Sequence, residues 1–131
     1  MEPDNARITP EYVTSLEPGS IFVFGSNRRG RHWGGAAHMA NKKFGAEWGV
    51  GVGPTGQAYA IPTMDGDIEA IRSAVDDFIK YAGEHPELFF YVTPIGCGIA
   101  GWRPEEIAPL FEKATTLENV SLPASFWEIL K

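Results

Sequence analysis

Twice in this chain a run of β-favouring apolar residues passes straight into a glycine-rich loop and then into a stretch of helical character, and that order constrains the fold more than any other feature. The first run is Ile21-Phe22-Val23-Phe24, set between Gly19 and Gly25. Four consecutive apolar residues suit a strand buried on both faces. The loop that follows reads Gly25-Ser26-Asn27-Arg28-Arg29-Gly30-Arg31-His32-Trp33-Gly34-Gly35, and residues 36–44 then carry helical propensity up to Gly45, a plausible glycine stop. The second run, Leu88 to Thr93, leads into Pro94-Ile95-Gly96-Cys97-Gly98-Ile99-Ala100-Gly101-Trp102. Pro104-Glu105-Glu106 then opens a helix, because proline suits the first helical position and acidic side chains suit the positive end of the helix dipole. Strands alternating with helices predict an α/β sandwich with ligands at the carboxyl ends of the central strands. Both loops would open on that edge and flank one cleft.

The remaining elements are read in the same way. Residues 1–19 carry Pro3, Pro10 and Pro18 and are expected to be an irregular lead-in with little chemistry. Five glycines between Gly45 and Gly56 predict a long loop or irregular hairpin, and Ala58-Tyr59-Ala60-Ile61-Pro62 a short strand stopped by its proline. Asp65-Gly66-Asp67 supplies turn and capping chemistry for a helix whose apolar residues Ile68, Ile71, Val75, Phe78, Ile79 and Ala82 recur at helical spacing. Pro109 is expected either to kink the helix drawn from Pro104 or to mean that this helix starts later. Asn119 to Pro123 is read as an edge strand and Ala124 to Leu130 as a terminal helical turn.

A length of 131 residues is one domain's worth, and residues 1–131 are taken as a single domain. No apolar run approaches the roughly 20 residues of a membrane span. The net charge of −6 opposes broad contact with nucleic acid or an anionic membrane. One cysteine cannot close a disulfide within the chain, and Met1-Glu2-Pro3-Asp4 lacks the pattern of a secretory signal, so a cytoplasmic location is expected.

A glycine loop between strand and helix presents backbone N–H groups which, with the helix dipole, suit a phosphate. Gly34-Gly35 ahead of Ala36 would let a ligand approach the backbone, and Asn27 offers a donor and an acceptor to a sugar or amide. Alternatively these glycines permit a tight turn that Asn27 caps. Three glycines between Gly96 and Gly101 would wrap a diphosphate from its other side. Cys97 is read as a small inert cysteine rather than a nucleophile, and Trp102 either stacks on a base or ribose or packs at the helix start. His32, His38 and His85 have no metal-ligand spacing, and no metal or cofactor is expected. His38 is read as packed in the first helix, whereas His32 in the loop is freer for proton transfer. Asp65 and Asp67 either polarise a water or cap the long helix. Arg28, Arg29 and Arg31 either favour an anionic ligand or form a solvated loop.

At these residues the sequence resembles the macro domain family, an ADP-ribose-binding α/β/α fold. The family's strand ending in Asn-Ala-Ala-Asn, its glycine turn and its Ala-Ile-His are similar to Gly25-Ser26-Asn27, Gly34-Gly35 and Ala36-Ala37-His38. Its second loop, Ser-Thr-Gly-Ile-Phe-Gly-Tyr-Pro, is similar to Gly96-Cys97-Gly98-Ile99-Ala100-Gly101-Trp102, and the wording Ile-Gly-Cys-Gly resembles the branch with terminal ADP-ribose glycohydrolases. The likeness runs from about residue 20 to 112, with its specific part in the two loops. It implies a three-layer macro-like α/β/α sandwich with a central mixed sheet. It further implies that Asn27 holds the distal ribose, that the backbone of Gly96 to Gly101 clamps the diphosphate, and that Trp102 flanks it. The chain departs from the family where catalysis would lie: no aspartate stands between Asn27 and His38, and Ala100 replaces both the aspartate of the glycohydrolase branch and the aromatic of other members. The expected partner is therefore ADP-ribose or a related nucleotide, free or linked to a macromolecule, with binding ahead of catalysis. Were it an ADP-ribosyl hydrolase, Asn27 would orient the ribose and His32 or Asp65 would move a proton.

Two other functions stay open on the sequence. One is a non-enzymatic interaction protein that keeps the fold and uses exposed aromatics such as Trp33, Trp48 or Trp127. The other is sequestration of a nucleotide signal in phage defence or counter-defence, since the chain also looks like short phage-associated proteins known only as non-structural.

Overall fold

The structure is a computed structural model that describes residues 7–10, 13, 16–26, 44, 53–63, 67–95 and 102–130. Five strands form one sheet: β1 (Ser20–Ser26), β2 (Gly53–Thr55), β3 (Ala58–Pro62), β4 (Phe89–Val92) and β5 (Val120–Ser121), in the order β2-β3-β1-β4-β5. Strands β3, β1, β4 and β5 run parallel, and β2 joins β3 antiparallel. The protein is thus α/β with a mixed sheet. The hairpin between β2 and β3 turns on Gly56 and Gln57, and Gly56 takes the positive φ of 56° that the first position of such a turn demands.

The apolar run of β1 is buried on both faces, as its lack of alternation predicts. One face, with Ile21, Val23, Ile61, Phe90, Val92, Val120 and Leu122, meets the helices and forms the main core. On the other, Phe22 and Phe24 stand beside Ala58 and Ala60 of β3. Phe44 packs there, its ring centroid 4.8 Å from that of Phe22, together with Val13 and Leu16. The helix expected over residues 36–44 lies, Phe44 apart, outside the described residues.

Helix α1 (Ile68–Glu84) forms because Ile71, Val75, Phe78 and Ala82 recur at three- and four-residue spacing and are buried as one stripe. Its first turn is closed by Asp67, whose carboxylate accepts the Ala70 N–H at 3.0 Å. Asp67→Ala is expected to cost about 1 kcal/mol, read as a lower urea midpoint with an unchanged slope.

Helix α2 (Pro104–Ile107) is a single α turn that passes into a 3-10 run, Ala108–Thr116. Pro109 is the cause: it has no N–H for the carbonyl four residues back, so the backbone tightens rather than kinks. The period of three then aligns Ala108, Phe111 and Ala114, all fully buried, on the main core. Helix α3 (Ala124–Leu130) closes the same layer with Phe126 and Trp127.

The N-terminal lead-in does more than the sequence suggested. Ile8 bridges Leu122 in parallel, flanked by bonds from Thr9 N to Leu122 O (2.9 Å) and from Leu122 N to Arg7 O (3.0 Å). The buried hydroxyls of Thr9 and Ser121 meet at 2.9 Å. The expected edge strand β5 is therefore covered by residues 7–9. Arg7 donates to the carbonyls of Ala114, Thr115 and Val120 at 3.1–3.2 Å, which satisfies acceptors at the end of the 3-10 run. Its guanidinium lies 5.0 Å over the Trp127 ring, whose N–H donates back to Arg7 O at 2.7 Å. Trp127, expected as an exposed partner-binding aromatic, is thus buried, because that clasp draws it under the N-terminal segment. Trp33 and Trp48 lie outside the described residues.

Candidate functional site

The candidate site is the carboxyl edge of β3, β1 and β4. β1 and β4 are hydrogen-bonded neighbours, with Val23 beside Val92, and the glycine loops leave from their adjacent ends. The two strands lead their chains in opposite directions across the sheet: β1 is followed by β2 and β3 on one side, β4 by β5 on the other. Such a reversal opens a crevice at the carboxyl ends of the two strands concerned, and in open α/β sheets ligands bind there.

Several bonds hold this edge in shape. Thr93, just past β4, gives both its N–H (3.1 Å) and its hydroxyl (2.8 Å) to the carbonyl of Val23 in β1. Ile95 is buried next to it and donates its N–H to Thr93 O at 2.7 Å. On the other flank Ser26 ends β1 opposite Pro62, and the following residue, Thr63, is buried. Its carbonyl accepts the indole N–H of Trp102 at 3.2 Å. A residue at the start of α2 is thereby tied to the end of β3, across the edge from which both loops depart. Thr63 and Thr93 are the positions sequence reading missed. A threonine after an apolar run carries no mark of its own, and only strand pairing shows what it holds.

Of the predicted site residues, the structure places Gly25 and Ser26 at the end of β1, in register with Ile61 and Pro62, and brings Trp102 to the same edge. Trp102 is half-buried against the main core with its N–H committed. What it retains for a ligand is ring surface, which accommodates both its packing role and a flanking role. Asn27, His32, Gly34, Gly35, Ala36, His38, Asp65, Gly96, Cys97, Gly98, Ile99, Ala100 and Gly101 lie outside the described residues. Asp67 is occupied as a helix cap. His85 caps the far end of α1, its Nδ1 2.7 Å from Tyr81 O. No cluster of three metal-ligating side chains occurs among the described residues.

One titrating group in the core is strongly shifted. Burial, and then the nearby Asp77 and Tyr81, push the Tyr59 hydroxyl from 10.0 up to about 12. The folded chain therefore keeps this phenol protonated where an unfolded chain ionises it. The stability this lends is whole below pH 10 and is lost between pH 10 and about 12. In Tyr59→Phe the alkaline fall in unfolding midpoint should be shallower over that interval; an unchanged fall would rule out this tyrosine as its source.

No protein-family model, curated protein or solved structure matches the chain. Fold and site together define its class: an α/β protein with a mixed five-stranded sheet, in which a glycine-rich stretch of sequence follows each of two adjacent parallel strands. No described helix is long and apolar enough to cross a membrane.

Proposed function

We propose that this chain is a macro-like nucleotide-binding domain that takes ADP-ribose or a related nucleotide, free or linked to a macromolecule, between its two glycine-rich loops. One observation carries the reading: the strands that launch those loops are direct neighbours at the point where the chain reverses its direction across the sheet. Two glycine-rich loops would thus face one ligand from both sides, and backbone N–H groups offered from both suit a diphosphate. In this reading Asn27 orients the distal ribose, the backbone of Gly96 to Gly101 holds the phosphates, and Trp102 contributes ring surface. Any ADP-ribosyl hydrolysis would use His32 or Asp65 for the proton, since the first loop has no aspartate. A second helical layer, over the face that carries Phe22 and Phe24, completes the proposed α/β/α sandwich.

Calorimetric titration tests this with ADP-ribose, with AMP and NAD as comparators and chromatography of the products. ADP-ribose is expected to bind with a micromolar Kd and more tightly than AMP. Asn27→Ala and Gly98→Glu should each abolish the heat while leaving the unfolding transition in place. Undiminished affinity in both variants would reject the site, and no heat with any of the three nucleotides would reject the ligand class.

A further inference from the structure

The opposite edge of the sheet carries a second concavity. There the amino ends of β1 and β4 and the turn before β5 surround an open cleft of about 360 Å3, with Pro18, Pro86 and Phe89 as apolar walls and Glu87 and Glu118 at its lip. Segments 16–20, 83–89 and 117–120 hold four glutamates, Glu17, Glu84, Glu87 and Glu118, and no lysine or arginine. Helix α1 also ends at this edge with Glu84 and no basic residue in its last turn, so the negative end of its dipole adds to the field. Among the described residues of these segments the other titratable side chain is His85, which is turned onto the Tyr81 carbonyl.

The floor of the cleft is cross-linked by hydrogen bonds. The two N–H groups of the Asn119 side-chain amide are shared among the carbonyls of Ala82, His85 and Leu88 at 3.0–3.2 Å, which ties the end of α1 to the start of β4. Ser20 gives an independent pointer to what the cleft takes. It lines the cleft, it is 8% exposed, and its register partner is Phe89, so both side chains share one sheet face. Its hydroxyl has no hydrogen-bond partner among the described residues, and a buried hydroxyl oxygen calls for a donor.

We infer that this cleft receives an arginine side chain from a peptide segment of a partner protein. The aliphatic stem would lie along Phe89 and the prolines, and the guanidinium would meet Glu87 and Glu118 and donate to Ser20. Arginine fits better than lysine because its planar fork carries enough donors for two carboxylates and a hydroxyl and stacks on an aromatic ring. Phe89 packs on Tyr91 along the same sheet face, with ring centroids 5.1 Å apart, which fixes the aromatic wall of the cleft. The cleft is at the end of the sheet away from the glycine loops, so a partner and a nucleotide can be held together, and the inference stands whether or not the nucleotide reading does.

Amide NMR titration with the blocked dipeptide acetyl-Arg-Leu-amide, beside its neutral citrulline analogue, decides the matter. Saturable shifts are expected at Gly19, Ser20, Leu88, Phe89 and the Asn119 side-chain amide with the arginine peptide only. Binding should weaken about fivefold when exposed Glu87 and Glu118 are both changed to glutamine, with the unfolding midpoint and any ADP-ribose affinity unchanged. Ser20→Ala should weaken it as well. Equal binding of the citrulline peptide, shifts scattered over the acidic surface, or no shift at these residues would each overturn the proposal.

Discussion

Phe78→Ala is expected to lower the unfolding free energy by about 4 kcal/mol, the largest effect of any single side chain considered. Phe78 is fully buried at the centre of an aromatic cluster, with ring centroids 5.2 Å from Tyr59, 5.4 Å from Phe90 and 6.3 Å from Phe111, all three edge-on. These partners sit on β3, β4 and the 3-10 run, so one truncation opens a void where helix α1 meets both the sheet and its neighbouring helical segment. Dense packing lets the walls collapse only partly. Urea unfolding should show the midpoint falling at constant slope, and Phe78→Leu, which keeps most of the volume, should cost less than half as much. A loss below about 1 kcal/mol for the alanine variant would mean that the ring does not occupy this centre.

Arg7→Ala is expected to cost about 3 kcal/mol, a large effect for a residue in a segment with so little regular structure. The loss takes the donor from the carbonyls of Thr115 and Val120, leaves that of Ala114 with the Leu117 N–H at 3.0 Å, and removes the cation from the face of Trp127. Arg7→Lys should restore less than half of it, because one ammonium cannot span three acceptors. Deleting the chain through Thr9 should be at least as damaging, since β5 would lose the bridge to Ile8 and the buried bond between Thr9 and Ser121. Hydrogen exchange offers a second readout: protection at Leu122 should vanish in the deletion while β1 keeps its own. Retained protection at Leu122 would show that residues 7–9 do not guard this strand.

Much of the fold was legible because local chemistry and tertiary environment agree. Strand β1 was visible as an unbroken apolar run, and a strand buried on both faces needs no alternation. Helix α1 was visible as a stripe with an aspartate at its start, and the stripe is what the sheet buries. Pro109 foretold a disturbance but not its form. The apolar pattern from Ile107 to Ala114 fits a period of three as well as 3.6, and only the missing N–H decides for the tighter turn. Trp127 was misread because the sequence of a short terminal helix does not say which neighbour will arrive to cover it.

The candidate site divides in the same way. Its two glycine-rich loops and the residues that would serve a nucleotide were apparent in the residue order alone, as was their position after strands. That Thr93 locks the exit of β4 onto β1, and that Trp102 reaches across to Thr63, was not. By itself the sequence determined which segments extend, which coil into helices and where glycine frees the backbone, since those are matters of side-chain shape, local hydrogen bonding and periodicity. Only the tertiary structure decided that β1 and β4 are neighbours, that residues 7–9 cover β5, and that an acidic cleft faces away from the loops. Each of these depends on hydrogen bonds and buried surface between residues far apart in the chain, such as Thr9 and Ser121, 112 positions from one another, and no local pattern records such a pairing.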